Sequence, residues 1–240
     1  IRSCLVGSEM CIRDSLYKVS AIILAAGSGN RFGEKKQFKK LNEKPIWVYS
    51  LNIFSRSECV DELILVIPND SLETLKKSQF FKSLNKENNI KLVSGGESRK
   101  DSVVNGLKAV NKANNIVCIH DAARPFIKTS YIKHSIDACS EFDGAIIAIP
   151  VVDTVKKADN KQIKNTIDRK SLWMAQTPQT FQKEKLLYAI KNFSHLNITD
   201  ESMLMEEANF KIKLIEGDQS NFKITNEMDW ELAKVIVEIE

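Results

Sequence analysis

The chain has 240 residues, of which 43% are hydrophobic, and this is enough apolar material for the core of one ordinary domain. Its 35 Lys and Arg residues outnumber its 31 Asp and Glu residues only slightly, and the two signs are interspersed, which argues against a nucleic-acid partner. No apolar run approaches the roughly 18 residues that a membrane-spanning helix needs, so we expect no membrane partner and a soluble protein.

The first fifteen residues do not fit the pattern of the rest. Charged residues interrupt the apolar stretches of 1–15, so the segment has neither the core of a signal peptide nor the pattern of a strand or helix. We expect it to be a non-native N-terminal extension, followed by a single domain over 16–240. The remaining cysteines, Cys59, Cys118 and Cys139, are too widely spaced for a disulfide framework or a zinc site and are typical of small buried residues in a cytoplasmic protein.

Strand and helix patterns alternate along the domain. Short apolar runs bounded by glycine or polar residues are typical of buried parallel strands, and apolar residues at every third or fourth position predict helices. The predicted strands cover 21–24, 62–68, 90–93, 115–120, 144–149 and 211–215. The predicted helices cover 44–57, 70–81, 98–110, 129–142, 183–193, 200–208 and 226–239. This alternation predicts an α/β fold around a mostly parallel sheet.

The alternation is interrupted over 151–170. Polar and apolar residues alternate there with too few apolar positions for a core unit, which predicts a two-stranded hairpin that turns at Asp159 and Asn160. An isolated hairpin is only marginally stable in water, so we expect this β-arm (about 151–171) to pack on another surface, for example that of a partner subunit. The segment 173–181 that follows is expected to be extended.

The first predicted strand leads through Ala25 and Ala26 into a loop that is rich in glycine and positive charge. Its notable residues are, in order, Gly27, Ser28, Gly29, Arg31, Lys35 and Lys36. Glycines after a strand let the backbone approach a phosphate closely with its N–H groups directed inward, and the cations add full charges to these dipoles. The glycine-rich loop (27–36) therefore predicts a polyphosphate site at the carboxyl end of the first strand.

Two other interpretations of the glycine-rich loop are possible. A dinucleotide-binding fingerprint needs its third glycine at the position of Phe32, but Gly33 comes one residue later. Two cations in the loop also suit a nucleoside triphosphate better than the less charged bridge of a dinucleotide. The plainer alternative is a tight turn with solvated lysines.

Two further predicted strands end in residues suited to nucleotide or metal binding. Gly95, Gly96 and Ser102 lie in the run GGESRKDS after the third strand, and Asp121 lies in the run HDAARP after the fourth. A carboxylate at a strand end can bind Mg²⁺, although pairing with Arg124 would also explain it. Because ligands of open α/β sheets bind beyond the carboxyl ends of the strands, we expect the three loops to converge.

Several sequence blocks between about residue 19 and the C-terminus match one known family in order and spacing. They are LAAGSGNRFG with KKQF, GGESRKDSV, HDAARPF, PVVDTVKKA, TIDRKSLWMAQTPQTF, TDES and NFKIT. On these blocks the chain resembles the 2-C-methyl-D-erythritol 4-phosphate cytidylyltransferases of the non-mevalonate isoprenoid pathway. The resemblance implies a Rossmann-like three-layer sandwich of the nucleotidyltransferase kind with a protruding β-arm. It also implies transfer of CMP from CTP to the sugar phosphate, Mg²⁺ as the metal, and a homodimer formed through the β-arm.

The resemblance implies roles for the residues that match the motifs. Arg31, Lys36 and Lys223 match the catalytic cations that hold the CTP phosphates. The CTP-binding positions are Ala25, Ala26, Gly27, Ser28, Gly29, Gly96, Ser102 and Asp121, and Asp121 is also the Mg²⁺ ligand. The sugar-phosphate positions are Arg124, Thr154, Arg169 and Thr177, of which Thr154 and Arg169 lie on an arm that reaches a neighbouring subunit. Lys35 departs from the pattern, because the family often has proline there.

The expected chemistry needs no protein nucleophile. A sugar phosphate carries about −1.5 to −2 charge near neutral pH, so it can attack the α-phosphate of CTP once the protein aligns the two polyanions and offsets their charge. We therefore expect His120, His134 and His195 to have packing or surface roles. Two alternatives stay open, namely a ribitol 5-phosphate cytidylyltransferase and a catalytically silent nucleotide-binding protein with the same fold.

Overall fold

The structure is a computed structural model, and it describes residues 17–27, 36–193, 195 and 198–239. The extension predicted over 1–15 lies outside the described residues, and so do Ser28, Gly29, Arg31 and Lys35 of the glycine-rich loop. Lys36 is described by its backbone alone. Among the described helices, none is long and apolar enough to cross a membrane.

Strands and helices alternate along most of the chain. The strands are β1 (Val19–Leu24), β2 (Lys40–Leu41), β3 (Lys44–Pro45), β4 (Glu62–Ile67), β5 (Ile90–Ser94), β6 (Ile116–Asp121), β7 (Gly144–Pro150), β8 (Val155–Asp159), β9 (Gln162–Ile167), β10 (Trp173–Gln182) and β11 (Ile212–Glu216). The α-helices are α1 (Ile46–Ser55), α2 (Asn69–Lys77), α3 (Gln79–Asn88), α4 (Arg99–Ala109), α5 (Thr129–Asp137), α6 (Lys183–Phe193), α7 (Glu201–Glu207) and α8 (Glu227–Ile239). Short 3₁₀ turns cover Lys36–Phe38, Ala138–Ser140 and Gln219–Asn221.

Seven of the strands form the central sheet, in the order β11-β7-β10-β6-β1-β4-β5. All neighbouring strands in it are parallel except β10, which runs antiparallel to β6 and β7. In the register of β1, Leu24 lies opposite both Val66 and Asp121. The carboxyl ends of β1, β4 and β6 therefore meet at one edge of the sheet, and the predicted α/β fold with a mostly parallel sheet is confirmed.

Helices cover both faces of the sheet, so its middle strands are almost entirely apolar. Ile23 of β1 packs on one face with Trp47 and Leu51 of α1. Its neighbour Ile22 packs on the opposite face with Val103 of α4. This alternation along the strand produces three layers, and α8 closes a smaller third cluster near the ends of β2 and α1.

The structure corrects two helix predictions. The single helix predicted over 70–81 is wrong, because the chain forms α2 and α3 with a break at Ser78. Ser78 has an extended backbone, and its hydroxyl accepts a hydrogen bond from the backbone N–H of Phe81, so it caps a new helix. The helix predicted over 129–142 ends at Asp137 and continues as a 3₁₀ turn.

The segment predicted only as extended is a long strand in the sheet. β10 inserts between β6 and β7, and its pairing with β7 is interrupted between Ala175 and Gln179. The polar residues at this interruption are buried, and they face the loops at the carboxyl edge through hydrogen bonds described below. β10 therefore contributes to the site as well as to the core.

The predicted β-arm forms as a hairpin. β8 and β9 pair with one another as a separate two-stranded sheet. The turn lies at Asn160 and Lys161, one residue later than predicted, and both residues have positive φ angles, as a tight hairpin requires. Ile163 on the β-arm is 66% exposed, so an apolar side chain there faces solvent in the single chain.

Candidate functional site

The described parts of the three loops lie against one another at the carboxyl edge. The backbone of Ala25 donates to the carbonyl of Val66 over 2.7 Å, and Gly95 donates to Ile67 over 2.7 Å. A Cβ atom built on Gly95 would lie 2.3 Å from the Cβ of Ala26 and 3.0 Å from the hydroxyl of Ser102. Only glycine allows the loop after β5 to approach the loop after β1 this closely.

Gln37 joins the two described ends of the glycine-rich loop. Its side chain is buried, and its amide donates to the carbonyl of Gly27 over 2.8 Å. Gly27 itself is exposed, and a Cβ atom built on it would have no described atom beyond its chain neighbours within 4 Å. No role was predicted for Gln37, although it lies in the matched block KKQF. Its contact closes the base of the loop that carries the predicted phosphate-binding cations.

Asp121 lies at the centre of the site, between two cations. Its Oδ2 lies 2.6 Å from the Nζ of Lys223, and its Oδ1 lies 3.2 Å from the Nε of Arg99. Burial acts to raise the pKa of this carboxyl, but the charges of Arg99 and Lys223 outweigh it and hold the pKa well below its usual range. Asp121 is therefore ionised at neutral pH, and the two residues predicted to bind metal and phosphate are in direct contact.

Arg124 does not pair with Asp121 through its side chain, so that simpler explanation of Asp121 is wrong. Its guanidinium donates over 2.7 Å to the carbonyl of Asn221 instead. The side-chain amide of Asn221, which is fully buried, donates to Gln176 over 2.8 Å and to the carbonyl of Thr177 over 2.9 Å. These bonds fix the segment that carries Lys223. No role was predicted for Asn221, because its partners are more than 40 residues away along the chain.

A second ion pair lies next to Asp121. One terminal nitrogen of the Arg99 guanidinium lies 2.6 and 2.8 Å from the two carboxylate oxygens of Glu201. Glu201 is 2% exposed. Burial raises the pKa of its carboxyl, and the charge of Arg99 opposes this. Both residues lie in matched blocks, but no role was predicted for them, because nothing in the sequence shows that residues this far apart meet.

His120 has the packing role that was predicted. Its ring is fully buried against Phe54, its Nε2 donates to the carbonyl of Arg124, and its Nδ1 accepts from the hydroxyl of Thr177. Burial lowers the pKa of His120 to about 4, so the ring is neutral at neutral pH. The hydroxyl of Thr177 also accepts from the backbone N–H of Asp121. His134 and His195 are exposed, as predicted.

The predicted cytidine-binding positions shape the loop after β5. The backbone N–H of Gly96 donates to the buried hydroxyl of Ser102 over 3.1 Å, and this hydroxyl donates to the carbonyl of Ser98. A Cβ on Gly96 would lie 2.2 Å from the Cβ of Asp101. Ser98 and Asp101 form a capping box at the start of α4, so the loop has a fixed path toward the carboxyl edge.

Two of the predicted sugar-phosphate residues lie on the β-arm. Thr154 and Arg169 are exposed at the base of the β-arm, where the guanidinium of Arg169 donates to the carbonyl of Val152. Within the described residues, no hydrogen bond or ion pair joins either of them to Asp121 or Lys223. The described single chain therefore shows no direct polar contact between the two parts of the predicted site.

The donor set fits a metal that arrives with phosphate. The described residues contain no group of three or more His, Cys, Asp or Glu side chains that could hold a metal ion. Mg²⁺ in nucleotide sites is usually held by one or two carboxylates together with substrate phosphates and water. One ionised carboxylate meets this requirement, that of Asp121, on the strand next to the one that leads into the glycine-rich loop. A metal cage made of protein ligands alone does not fit the part of the chain that the structure describes.

Comparison with known proteins gives a consistent result. The family model described as 2-C-methyl-D-erythritol 4-phosphate cytidylyltransferase matches residues 19–239. A relative of that name from Alkaliphilus oremlandii is 38% identical over 229 residues, which cover 93% of this chain and 97% of the relative. Another from Dictyoglomus thermophilum is 41% identical over 219 residues, covering 89% and 94%.

Solved structures show the same likeness. A 4-diphosphocytidyl-2C-methyl-D-erythritol synthase from Anaerococcus prevotii superposes with a TM-score of 0.79 at 30% identity, covering 92% of this chain and 99% of that chain. A 2-C-methyl-D-erythritol 4-phosphate cytidylyltransferase from Thermus thermophilus superposes with a TM-score of 0.76 at 25% identity, covering 92% and 99%.

Proposed function

The chain belongs to the 2-C-methyl-D-erythritol 4-phosphate cytidylyltransferase family, and from this we propose that the cluster around Asp121 is where CTP reacts. The protein is a nucleotidyltransferase of isoprenoid precursor biosynthesis, which transfers CMP from CTP to 2-C-methyl-D-erythritol 4-phosphate. The observation that carries the proposed site is the 2.6 Å contact between Asp121 and Lys223 beyond the carboxyl edge of the sheet. Both residues match the family's motifs.

We propose that CTP lies along this edge. Its phosphates would contact the glycine-rich loop, namely the backbone from Ala25 to Gly29 and the cations Arg31 and Lys36. Its cytidine would lie against Gly96 and Ser102. Helix starts and inward-directed N–H groups favour phosphate at such positions, and the fixed loop after β5 would give the base a rigid surface.

The reaction needs positive charge more than it needs a base. The phosphate oxygen of the acceptor attacks the α-phosphorus of CTP, and the bond to the pyrophosphate breaks on the opposite side. Mg²⁺ held by Asp121 would neutralise charge on the phosphates. Lys223 would contribute to the same stabilisation, since its side chain is 32% exposed and can turn from Asp121 toward a bound phosphate. Each such preorganised contact typically contributes about 3 kcal/mol to transition-state stabilisation.

We propose that the acceptor site is completed by a second copy of the chain. Arg169 and Thr154 are exposed at the base of the β-arm, and among the described residues neither forms a hydrogen bond or ion pair with Asp121. Val152 and Ile163 on the same arm are 57% and 66% exposed, which favours burial of the β-arm in a homodimer. Arg124 and Thr177 would contribute from the body, where both are hydrogen-bonded to the framework of the site.

We also propose a cytoplasmic location. The described cysteines, Cys59, Cys118 and Cys139, are all free thiols, which is the usual state in a reducing compartment. Cys118 and Cys139 are buried as predicted, whereas Cys59 is only partly buried. Burial raises the pKa of both buried thiols to about 12, so they remain protonated and have no part in the chemistry.

Nucleotide preference tests the proposed site. Pyrophosphate release is measured with CTP, UTP, ATP and GTP in turn, with 2-C-methyl-D-erythritol 4-phosphate as the acceptor and Mg²⁺ present. We expect CTP to give at least a hundredfold higher kcat/KM than any other nucleotide, and the Asp121→Asn variant to lose this activity. Equal rates with all four nucleotides, or an active Asp121→Asn variant, would contradict the proposal.

A further inference from the structure

The ion pair of Arg99 and Glu201 has no part in the proposed chemistry, and its acidic partner is buried while the Arg99 side chain is 31% exposed. Glu201 is 2% exposed, and both of its carboxylate oxygens lie within 2.8 Å of Arg99. Taking the carboxylate of Glu201 out of water is unfavourable, and ion pairs with a buried member can often be replaced by apolar residues without loss of stability. Stability alone is therefore a weak reason for a charged pair at this position.

The pair continues into the site. The same guanidinium that pairs with Glu201 lies 3.2 Å from Asp121 through its Nε, and Asp121 in turn lies 2.6 Å from Lys223. Glu201, Arg99, Asp121 and Lys223 thus form a row of alternating charges. The contacts of Arg99 to Glu201 are shorter than its contact to Asp121, so much of its charge is compensated on the side away from the site.

Glu201 is held rigidly at this position. It is the first residue of α7, and the side chain of Asp200 caps that helix. The side-chain amide of Gln179 on β10 donates to Asp200 over 2.7 Å, and its oxygen accepts from the backbone N–H of Ser202. Arg99 is likewise the first residue of α4, behind the capping box. Both partners are therefore fixed by their helix starts.

We infer that Arg99 and Glu201 are positioning residues for Asp121. Glu201 compensates the charge of Arg99, so Arg99 can orient Oδ1 of Asp121 by a hydrogen bond without cancelling the charge that Oδ2 offers to a cation. In the chain alone this cation is Lys223, and in the reacting complex it is the metal that accompanies CTP. This inference rests on the proposed metal-binding role of Asp121.

The Glu201→Gln variant tests the charge balance. Glutamine cannot compensate Arg99, whose charge then competes with the metal for Asp121. We expect the dissociation constant of Mn²⁺ in the presence of CTP, measured on the full chain by electron paramagnetic resonance, to rise at least tenfold. Glu62→Gln is the matched control. Glu62 is also largely buried and forms an ion pair with Lys91, but it lies at the amino ends of the strands, away from the carboxyl edge. The control variant should change the constant less than twofold.

A folded Glu201→Gln variant with an Mn²⁺ constant within twofold of the wild type would overturn the inference. The double variant Arg99→Gln/Glu201→Gln keeps the test decisive if the single variant does not fold, since it leaves no unpaired buried charge. We expect the Mn²⁺ dissociation constant of the double variant to lie within about threefold of the wild-type value. We expect its kcat to be at least tenfold lower, because Oδ1 of Asp121 loses the hydrogen bond from Arg99. A wild-type kcat, or an Mn²⁺ constant raised tenfold or more, would contradict the inference.

A third variant separates this inference from the proposed function. If Asp121→Asn binds Mn²⁺ and CTP as the wild type does, the metal role of Asp121 is wrong, and the inference falls with it. If Asp121→Asn loses Mn²⁺ binding while Glu201→Gln retains it, only the positioning role is wrong.

Discussion

The Gly95→Ala substitution tests whether the close approach of two loops builds the nucleotide site. Gly95 follows β5 and lies between Ala26, after β1, and Ser102, on α4. A methyl group there would lie 2.3 Å from the Cβ of Ala26 and 3.0 Å from the hydroxyl of Ser102. The Cβ of Ala26 is fixed by its own backbone, so the collision cannot be relieved by turning a side chain.

The distances set the size of the effect. Non-bonded carbon atoms in contact lie roughly 3.5–4.0 Å apart, so the loops after β1 and β5 must separate by about 1.2 Å or more. A misplacement of about 1 Å in a reacting site can lower the rate about a hundredfold. Overpacking also lowers the free energy of unfolding by about 1–3 kcal/mol. We therefore expect kcat/KM for CTP to fall about a hundredfold.

Steady-state pyrophosphate release at varied CTP measures this effect at a temperature where the variant is folded. Gly144→Ala is the matched control, because its added methyl would lie 2.4 Å from the ring of Phe181 and 2.8 Å from the carbonyl of Thr180. Gly144 begins β7, at the sheet edge opposite the site, so this variant should lose stability but keep kcat/KM within about threefold. A stable fold and near-normal kcat/KM in Gly95→Ala would refute the reasoning.

Three further predictions concern charge, the acceptor and pH. Lys223→Met should lower kcat by about 10²–10³ with an unchanged circular dichroism spectrum. Lys185→Met, which removes a cation paired with Asp143 far from the site, should leave kcat unchanged. Near-normal turnover in Lys223→Met would remove Lys223 from the mechanism. Arg169→Ala should raise KM for the sugar phosphate and leave that for CTP unchanged, and the reverse pattern would show that the β-arm is assigned to the wrong substrate. The folded pKa of His120 lies near 4, below its ordinary 6.5, so its contribution to stability is present above pH 6.5 and is lost as the pH falls toward 4. Urea unfolding should show the wild type losing about 3 kcal/mol more than His120→Gln over this range, and equal losses would show that the buried ring does not resist protonation.

The sequence predicted that the loops at the carboxyl edge converge, but it did not predict the contacts that join them. Ligands of open α/β sheets bind beyond the carboxyl ends of the strands, and this rule predicted that Gly95, Gly96 and Asp121 lie near a ligand. These residues are recognisable because each follows a short apolar run. The partners of Asp121 were not predictable in this way, since Arg99 and Lys223 are 22 and 102 residues distant from it along the chain.

Several fold features depended on side-chain contacts that no local pattern contains. The break between α2 and α3 results from the hydroxyl of Ser78, which caps a new helix inside an otherwise continuous helical pattern. β10 has the local pattern of any extended segment, and its antiparallel insertion between β6 and β7 is a property of the whole sheet. Gln37 and Asn221 are polar residues whose burial only the assembled loops explain.

The identity of the acceptor as 2-C-methyl-D-erythritol 4-phosphate is tested most directly by a competition between two acceptors. CTP and Mg²⁺ are supplied with equal concentrations of 2-C-methyl-D-erythritol 4-phosphate and ribitol 5-phosphate, and the two cytidine diphosphate products are separated and quantified. We expect 4-diphosphocytidyl-2-C-methyl-D-erythritol to exceed the ribitol product at least a hundredfold. A mixture dominated by the ribitol product would contradict the account.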